Sequence, residues 1–154
     1  SYTGLRIGVS TAKGLCYTLD IPLVAISTLR AMAFGMAQKE ESNLYCPMID
    51  ARRMEVYNAF FNAENKEIRG VQADIINEKS YQKELEKSVL FFGDGAEKCK
   101  AIIRHKNAKF LDGIYPTSKD MLSLVLQKYK NKDFEDVAYF EPFYLKDFIA
   151  GKKS

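Results

Sequence analysis

His105, the one histidine in the chain, is the first side chain to test for acid–base or metal chemistry. It lies between Arg104 and Lys106 at the end of a predicted charged helix, a position typical of a solvent-exposed residue. A two-histidine zinc site needs a second histidine, and no acidic residue lies near His105 in sequence to orient it as a general base. The sequence therefore predicts no catalytic residue and no metal ligand.

Phosphate binding is the second chemistry to test, and the turn Gly93-Asp94-Gly95 is the candidate. The turn follows an apolar strand and precedes a predicted helix, where backbone N–H groups often bind phosphate. We expect the Asp94 carboxylate to cap that helix and to repel an anion, which favours a structural turn over a nucleotide site. A phosphate loop ending in Gly-Lys-Ser/Thr is missing from the sequence, since Lys13-Gly14 has the reverse order. No cofactor is predicted.

A charged turn is the third candidate, formed by Asp50, Arg52, Arg53 and Glu55 between two apolar runs. Its carboxylates and guanidinium groups are suited to a recognition loop. Opposite charges this close in sequence also satisfy one another, which would make the turn a salt-bridged connection without a binding role. The sequence favours the second interpretation and leaves both open.

Alternating helices and strands must position these residues. Hydrophobic spacing and turn residues predict, in order, helix 3–18 capped by Thr3, strand 23–26, helix 28–37, strands 44–50, 55–63 and 68–76, helix 80–86, strand 89–92, helix 96–104, strand 110–111, helix 121–130 after a capping box of Thr117 and Asp120, and an extended segment 139–145. A hairpin and a third strand followed by strand–helix repeats predict an α/β domain, a mixed sheet flanked by helices. The polar stretch 38–43 is the predicted boundary between two lobes, residues 1–37 and 38–154.

The first predicted helix contains many glycines for its length. Gly4, Gly8 and Ala12 recur at four-residue intervals and so share one stripe. Each glycine inside a helix costs about 1 kcal/mol relative to alanine, so a compensating contact is expected. We expect this contact to be the close approach of another helix or strand to the stripe, which lies beside Leu5 and Val9.

Composition is that of an ordinary globular protein, with 47% apolar and 28% charged residues. No apolar run approaches the roughly 20 residues that a membrane span requires. The 23 basic and 20 acidic side chains are interspersed, so strong direct binding to nucleic acid is not predicted. Cys16, Cys46 and Cys99 are widely spaced within apolar stretches, which is typical of reduced, buried cysteines. With no amino-terminal signal pattern, we expect a cytoplasmic protein.

Four motifs follow one another along the chain. They are Ser-Tyr-Thr-Gly-Leu-Arg-Ile-Gly at 1–8, Ile-Pro-Leu-Val at 21–24 with Ser-Thr-Leu at 27–29, Asp-Ala-Arg at 50–52 with Glu-Val-Tyr at 55–57, and Glu-Pro-Phe-Tyr-Leu at 141–145. In these motifs the chain resembles the TsaB (YeaZ) family, once catalogued as glycoprotease-like or peptidase M22 homologues. The first and last motifs are the most specific, and Met54 departs from the family at a position where glycine is common.

The resemblance implies two actin-like (ribonuclease H-like) lobes and a non-catalytic scaffold role in making threonylcarbamoyladenosine in tRNA. It implies a heterodimer with the catalytic relative TsaD, joined by the ATPase TsaE, with tRNA contacted only indirectly and no membrane partner. The first helix is expected to dock on a like helix of TsaD or of a second copy. The residues expected at this interface are Thr3, Gly4, Leu5, Gly8, Val9, Ala12, Leu15 and Cys16.

The sequence departs from the family at its start, because the hairpin and helix that precede the first motif in family members are absent from it. We therefore expect an incomplete first lobe whose uncovered apolar surface favours a homodimer in isolation. An alternative is an actin-like enzyme, an M22-type peptidase or a small-molecule kinase, supported by the old family label and the Gly93 turn. Direct tRNA binding through Arg52, Arg53, Lys152 and Lys153 is a further alternative.

Overall fold

The computed structural model describes residues 2–145, so Ser1 of the first motif and the terminal Lys152 and Lys153 lie outside the described residues. Its helices and strands, in chain order, are α1 (Tyr2–Leu19), α2 (Thr28–Ala37), β1 (Leu44–Asp50), β2 (Glu55–Phe61), β3 (Glu67–Ile75), β4 (Val89–Phe92), α3 (Ala96–Lys100), β5 (Ala108–Leu111) and α4 (Leu122–Lys130). Short 3-10 turns lie at Glu84–Glu86 and Ser118–Met121.

The five strands form one mixed sheet in the order β3-β2-β1-β4-β5. Short turns join β1 to β2 and β2 to β3, so these neighbours are antiparallel. Longer connections lead to β4 and β5, which lie parallel to β1 and to each other. The predicted α/β class with a mixed sheet flanked by helices is confirmed.

Each face of the sheet has its own apolar cluster. On one face α2 packs against the strands through Leu29, Met32, Ala33 and Met36, which contact Tyr45, Ala59, Phe61, Leu90 and Phe92. On the other face α3 and the segment before β4 cover Cys46, Met48, Val56, Phe60, Val89 and Phe91. Burial on both faces explains why β1 and β4 are nearly continuous apolar runs in the sequence.

The chain contains two compact units. One unit is Ile26–Leu124, which contains α2 and the whole sheet. The other unit contains the residues up to Ala25, including α1, together with the described residues from Val125 onward. The lobe boundary predicted after residue 37 concerns the family's two lobes and stays a prediction.

The predicted strand 23–26 is wrong. Leu23 alone pairs, in one antiparallel bridge with Glu135. Pro22 has no N–H to donate to a ladder, and the carbonyl oxygen of Ala25 accepts a hydrogen bond from Lys128 Nζ at 3.3 Å instead. A side chain from later in the sequence thus replaces strand pairing.

Of two predicted N-caps, the structure contradicts one and confirms the other. Thr3 lies inside α1, which begins at Tyr2, so the predicted Thr3 cap is wrong. Thr117 does cap, because its side chain accepts a hydrogen bond from the backbone N–H of Asp120 at 3.4 Å. The capped element is a 3-10 turn, and α4 starts only after it, at Leu122.

Two predicted helices are shorter than expected. Residues 80–86 contain only the 3-10 turn Glu84–Glu86, because Tyr81 adopts a φ of 64° while its ring packs in the core. α3 ends at Lys100 rather than at residue 104, and a turn then brings Ile103 into the core. In both places burial of one side chain overrides helical spacing.

A half-buried charged network links β2 and β3. The Asp74 carboxylate accepts hydrogen bonds from Arg69 at 2.8 Å, from the Asn58 amide at 2.8 Å and from the Tyr81 hydroxyl at 3.1 Å. Burial by itself raises the pKa of Asp74, but these hydrogen bonds outweigh burial and hold the pKa below its ordinary value. The Arg69 guanidinium also lies over the rings of Phe60 and Tyr81, 5.6 and 5.5 Å from their centroids.

Asp74→Asn is expected to lower the free energy of unfolding at neutral pH by about 2–4 kcal/mol, because half-buried Arg69 loses its closest charged partner. Since the pKa of Asp74 is lower in the folded chain, its contribution is present above the unfolded value of about 4 and is lost as pH falls through the folded value. Urea titrations across this acidic range should show a smaller loss of stability for the variant than for the wild type.

Asp112→Asn is the matched control, because Asp112 pairs with Lys100 at 3.0 Å on the exposed surface. We expect a change of less than about 0.5 kcal/mol. Equal destabilisation by the two variants would contradict the role given to the Asp74 network.

Candidate partner interface and recognition turn

One edge of α1 contacts its own compact unit. The rings of Tyr2 and Tyr144 lie 4.6 Å apart between centroids. Lys13 Nζ donates hydrogen bonds to the carbonyl oxygens of Ala138 at 3.1 Å and Phe140 at 2.9 Å. These contacts define which side of α1 is covered, yet none of its 18 residues is fully buried.

A different side of α1 presents an apolar stripe to solvent. Leu5, Leu15 and Leu19 are 45%, 56% and 61% exposed, and Gly8 lies between them at helical spacing. A Cβ added at Gly8 would meet no atom within 4 Å, so the backbone there is open to a neighbour. An exposed apolar stripe with a glycine at its centre is suited to close helix–helix packing.

The structure divides the eight predicted interface residues into two sets. An exposed set consists of Thr3, Gly4, Leu5, Gly8 and Leu15, and a half-buried set consists of Val9, Ala12 and Cys16. Cys16 contacts its own chain, because its Sγ donates a hydrogen bond to the carbonyl oxygen of Pro22 at 3.7 Å. Sequence reasoning missed Leu19, which the same helical spacing would have added. The role of this face as an interface stays a prediction.

The charged turn is closed by a residue that sequence reasoning missed. Lys98 of α3 pairs with the Asp50 carboxylate and donates hydrogen bonds to the carbonyl oxygens of Arg53 at 2.8 Å and Glu55 at 2.7 Å. The Asp50 carboxylate also accepts a hydrogen bond from the backbone N–H of Arg52 at 2.9 Å. The hydrogen bond from Lys98 is the main reason that the pKa of Asp50 is lowered. The cation that satisfies Asp50 is therefore Lys98, which lies 48 residues away in sequence.

The turn Gly93-Asp94-Gly95 is hydrogen-bonded to the end of β1. Asp94 accepts a hydrogen bond from the backbone N–H of Asp50 at 3.0 Å, and Gly95 occupies the N-cap position, so the predicted Asp94 cap is wrong. The N–H of Gly95 bonds the carbonyl oxygen of Met48 at 3.1 Å. Since these groups are used within the protein, the geometry favours the structural turn over a nucleotide site.

The remaining reactive side chains have structural surroundings. His105 is exposed, and its Nδ1 accepts a hydrogen bond from the N–H of Asn107 at 3.2 Å. Cys46 and Cys99 are buried as predicted, whereas Cys16 is half-buried. Burial raises the pKa of Cys46 and raises that of Cys99 to about 11, so both thiols are protonated at neutral pH. Among residues 2–145, no cluster of three or more histidine, cysteine, aspartate or glutamate side chains is arranged to hold a metal ion.

No helix within the described part of the chain has the length and apolar character needed to cross a membrane.

Comparison with known families gives a match along almost the whole chain. Residues 1–153 match the family model described as TsaD: tRNA N6-adenosine threonylcarbamoyltransferase. The chain belongs to this family. Within the family, the chain is similar to the tRNA threonylcarbamoyladenosine biosynthesis protein TsaB of Escherichia coli, with 29% identity over 163 residues, covering 99% of this chain and 69% of that protein. It is also similar to TsaB of Bacillus subtilis, with 37% identity over 97 residues, covering 60% of this chain and 42% of that protein.

A solved structure of YeaZ from Pseudomonas aeruginosa has the same fold, with a TM-score of 0.73 over 94% of this chain and 69% of that chain. The sequence identity is 20%, so this likeness concerns the fold alone. The relatives and this structure confirm the resemblance to the TsaB (YeaZ) branch of the family, and the predicted actin-like fold is confirmed.

Proposed function

We propose that this chain is a non-catalytic scaffold subunit in the synthesis of threonylcarbamoyladenosine in tRNA, where it pairs with a TsaD-type threonylcarbamoyltransferase. The names of the relatives support the process, and the family model supports a relationship to the transferase. The single observation that carries the pairing is the exposed stripe of Leu5, Gly8, Leu15 and Leu19 on α1.

Burial is the physical reason for assigning a partner to this stripe. Taking a fully exposed leucine side chain out of water contributes about 1.5–3 kcal/mol. Leu5, Leu15 and Leu19 still expose 45–61% of their surface, so a partner that covers them would gain about half of that from each. Gly8 allows a partner helix to approach the α1 backbone closely. The same stripe is suited to a second copy of the chain, which is how the expected homodimer would form in isolation.

A scaffold role agrees with how the potentially reactive groups are used. Asp50, Asp94 and Asp74 accept internal hydrogen bonds, and the thiols of Cys46 and Cys99 are buried. The actin-like enzyme alternative drew its support from the old family label and from the Gly93 turn, where the N–H of Gly95 is already bonded. In the proposed complex the transferase subunit performs the chemistry, a TsaE-type ATPase completes the assembly, and the setting is the cytoplasm.

Coexpression with a tagged TsaD-type subunit from the same source tests the proposal. We expect an equimolar complex that elutes ahead of either subunit in size-exclusion chromatography and that modifies tRNA in a reconstituted reaction. Absence of the complex at micromolar concentrations of both subunits, together with full modification in reactions lacking this chain, would contradict the proposal.

A further inference from the structure

The turn between β1 and β2 holds two arginines in an unfavourable backbone conformation. Arg52 and Arg53 adopt φ values of 68° and 47°, in the left-handed region that glycine and asparagine tolerate best. Such a conformation persists only where the surrounding structure enforces it, and it is concentrated at sites of recognition and catalysis.

Lys98 makes the contacts that hold the turn in this conformation. Its ammonium group binds the Asp50 carboxylate at one end of the turn and the carbonyl oxygens of Arg53 and Glu55 at the other, so the backbone of the tip is fixed. The same contact neutralises the charge of Asp50. The backbone of the tip is therefore held rigidly, and the Asp50 carboxylate is already paired.

The two guanidinium groups are left facing solvent. Arg52 and Arg53 are exposed, and within residues 2–145 neither guanidinium group forms a hydrogen bond or an ion pair. Lys98 is the main cause of the lowered pKa of Asp50, and the charge of Arg52 contributes less to it than the hydrogen bond from the Arg52 backbone N–H. The tip thus presents two adjacent positive charges in a fixed geometry, and no large apolar side chain between 51 and 54 is exposed.

We propose that Arg52 and Arg53 bind phosphate groups of the tRNA backbone. The guanidinium group is a planar fork that matches phosphate oxygens, and phosphate contacts need no apolar surroundings, whereas protein interfaces have an apolar centre. This inference rests on the proposed function, which brings tRNA to the complex. It adds a direct contact to the expectation that tRNA is contacted only indirectly.

A double variant, Arg52→Asn with Arg53→Gly, separates recognition from folding. Asparagine and glycine fit the left-handed conformation better than arginine, so the variant should fold and melt at the wild-type temperature or a few degrees above it. With unmodified tRNA as the fluorescent probe, anisotropy titrations should give a dissociation constant about 5–10-fold higher than wild type near physiological salt. The slope of log affinity against log salt should be smaller by about 1–2, as expected when two phosphate contacts are lost.

Lys66→Gln with Lys79→Gln is the matched control, because it removes two exposed positive charges elsewhere in the same compact unit. Its dissociation constant for tRNA should change by less than about twofold. Unchanged affinity in the arginine variant, or an equal loss in the lysine control, would overturn the proposal.

The titrations are made with the full chain alone and with the complex, and complex formation is measured separately by size-exclusion chromatography. An arginine variant that loses the complex but keeps tRNA affinity as a free chain would assign the tip to a protein partner and overturn the phosphate contact. If the wild-type chain forms no complex, the proposed function fails, and the titrations of the chain alone still decide the role of the arginines.

Discussion

Replacing Leu5 and Leu15 together by glutamate is expected to weaken binding to a TsaD-type subunit at least 100-fold. Both side chains lie on the exposed stripe of α1, so the free chain should fold and melt as the wild type does. In a complex, each glutamate would place an unpaired charge in an apolar contact, which is costly unless a partner charge meets it. Copurification and isothermal titration measure the loss.

Tyr17→Glu is the matched control for this experiment. Tyr17 is 82% exposed and lies on the same helix, but helical spacing places it on the side opposite Leu15 and Gly8. The control should bind the transferase subunit within about twofold of wild type. Equal weakening by Tyr17→Glu, or unchanged binding of the double glutamate variant, would show that the stripe is not the interface.

Gly93→Ala is expected to destabilise the fold by roughly 3–5 kcal/mol, a large share of the 5–15 kcal/mol that stabilises a typical domain. Gly93 has a φ of 106°, where an L side chain is strained, and its Cβ would lie 2.2 Å from the carbonyl oxygen of Met48. Because that oxygen belongs to the backbone of the central strand β1, it cannot move aside without disturbing the sheet. Thermal unfolding should show a fall in Tm of about 6–12 °C or more.

Gly113→Ala provides the matched control for Gly93→Ala. Gly113 also has a positive φ, 73°, but a Cβ there would meet no atom within 4 Å. Its cost should be limited to backbone strain, about 1 kcal/mol. Similar Tm values for the two variants would contradict the close approach of the Gly93 turn to β1.

The central part of the sheet could be predicted from sequence because its signals are local. β1 and β4 are apolar runs ended by turn residues, and Gly93 follows β4 directly. α2 begins at Thr28 and ends at Ala37, in agreement with a helix predicted to be capped by Ser27 or Thr28 and to end before the polar stretch 38–43. Because both faces of these strands are buried, they contain few polar residues, and their apolar runs are easy to recognise in the sequence.

Long-range contacts decided the elements that sequence reasoning assigned wrongly. Lys128 donates a hydrogen bond to the carbonyl oxygen of Ala25, 103 residues earlier, in the segment where a strand was predicted. Asp94 accepts a hydrogen bond from Asp50, 44 residues earlier, instead of capping the helix that follows it. Tyr81 buries its ring at the expense of a predicted helix. No pattern within a short window of sequence contains these contacts.

The candidate interface could be predicted in part, because helical spacing is a local signal in the sequence. Sequence reasoning included Leu5, Gly8 and Leu15 among the eight expected interface residues, and the structure leaves these three exposed. Cys16 is half-buried and contacts Pro22, which follows α1 in sequence, so helical spacing alone did not separate it from the exposed set. The Lys98 contact with the charged turn was missed because it joins α3 to a turn more than 40 residues earlier.

Hydrogen–deuterium exchange of α1 with and without a TsaD-type subunit tests the central claim most directly. If the exposed stripe of α1 is the partner interface, peptides from residues 2–19 should exchange at least tenfold more slowly in the complex, while peptides covering the exposed edge strand β3 should exchange at an unchanged rate. A stable complex in which residues 2–19 exchange as in the free chain, with protection elsewhere, would contradict the assignment of the interface to α1.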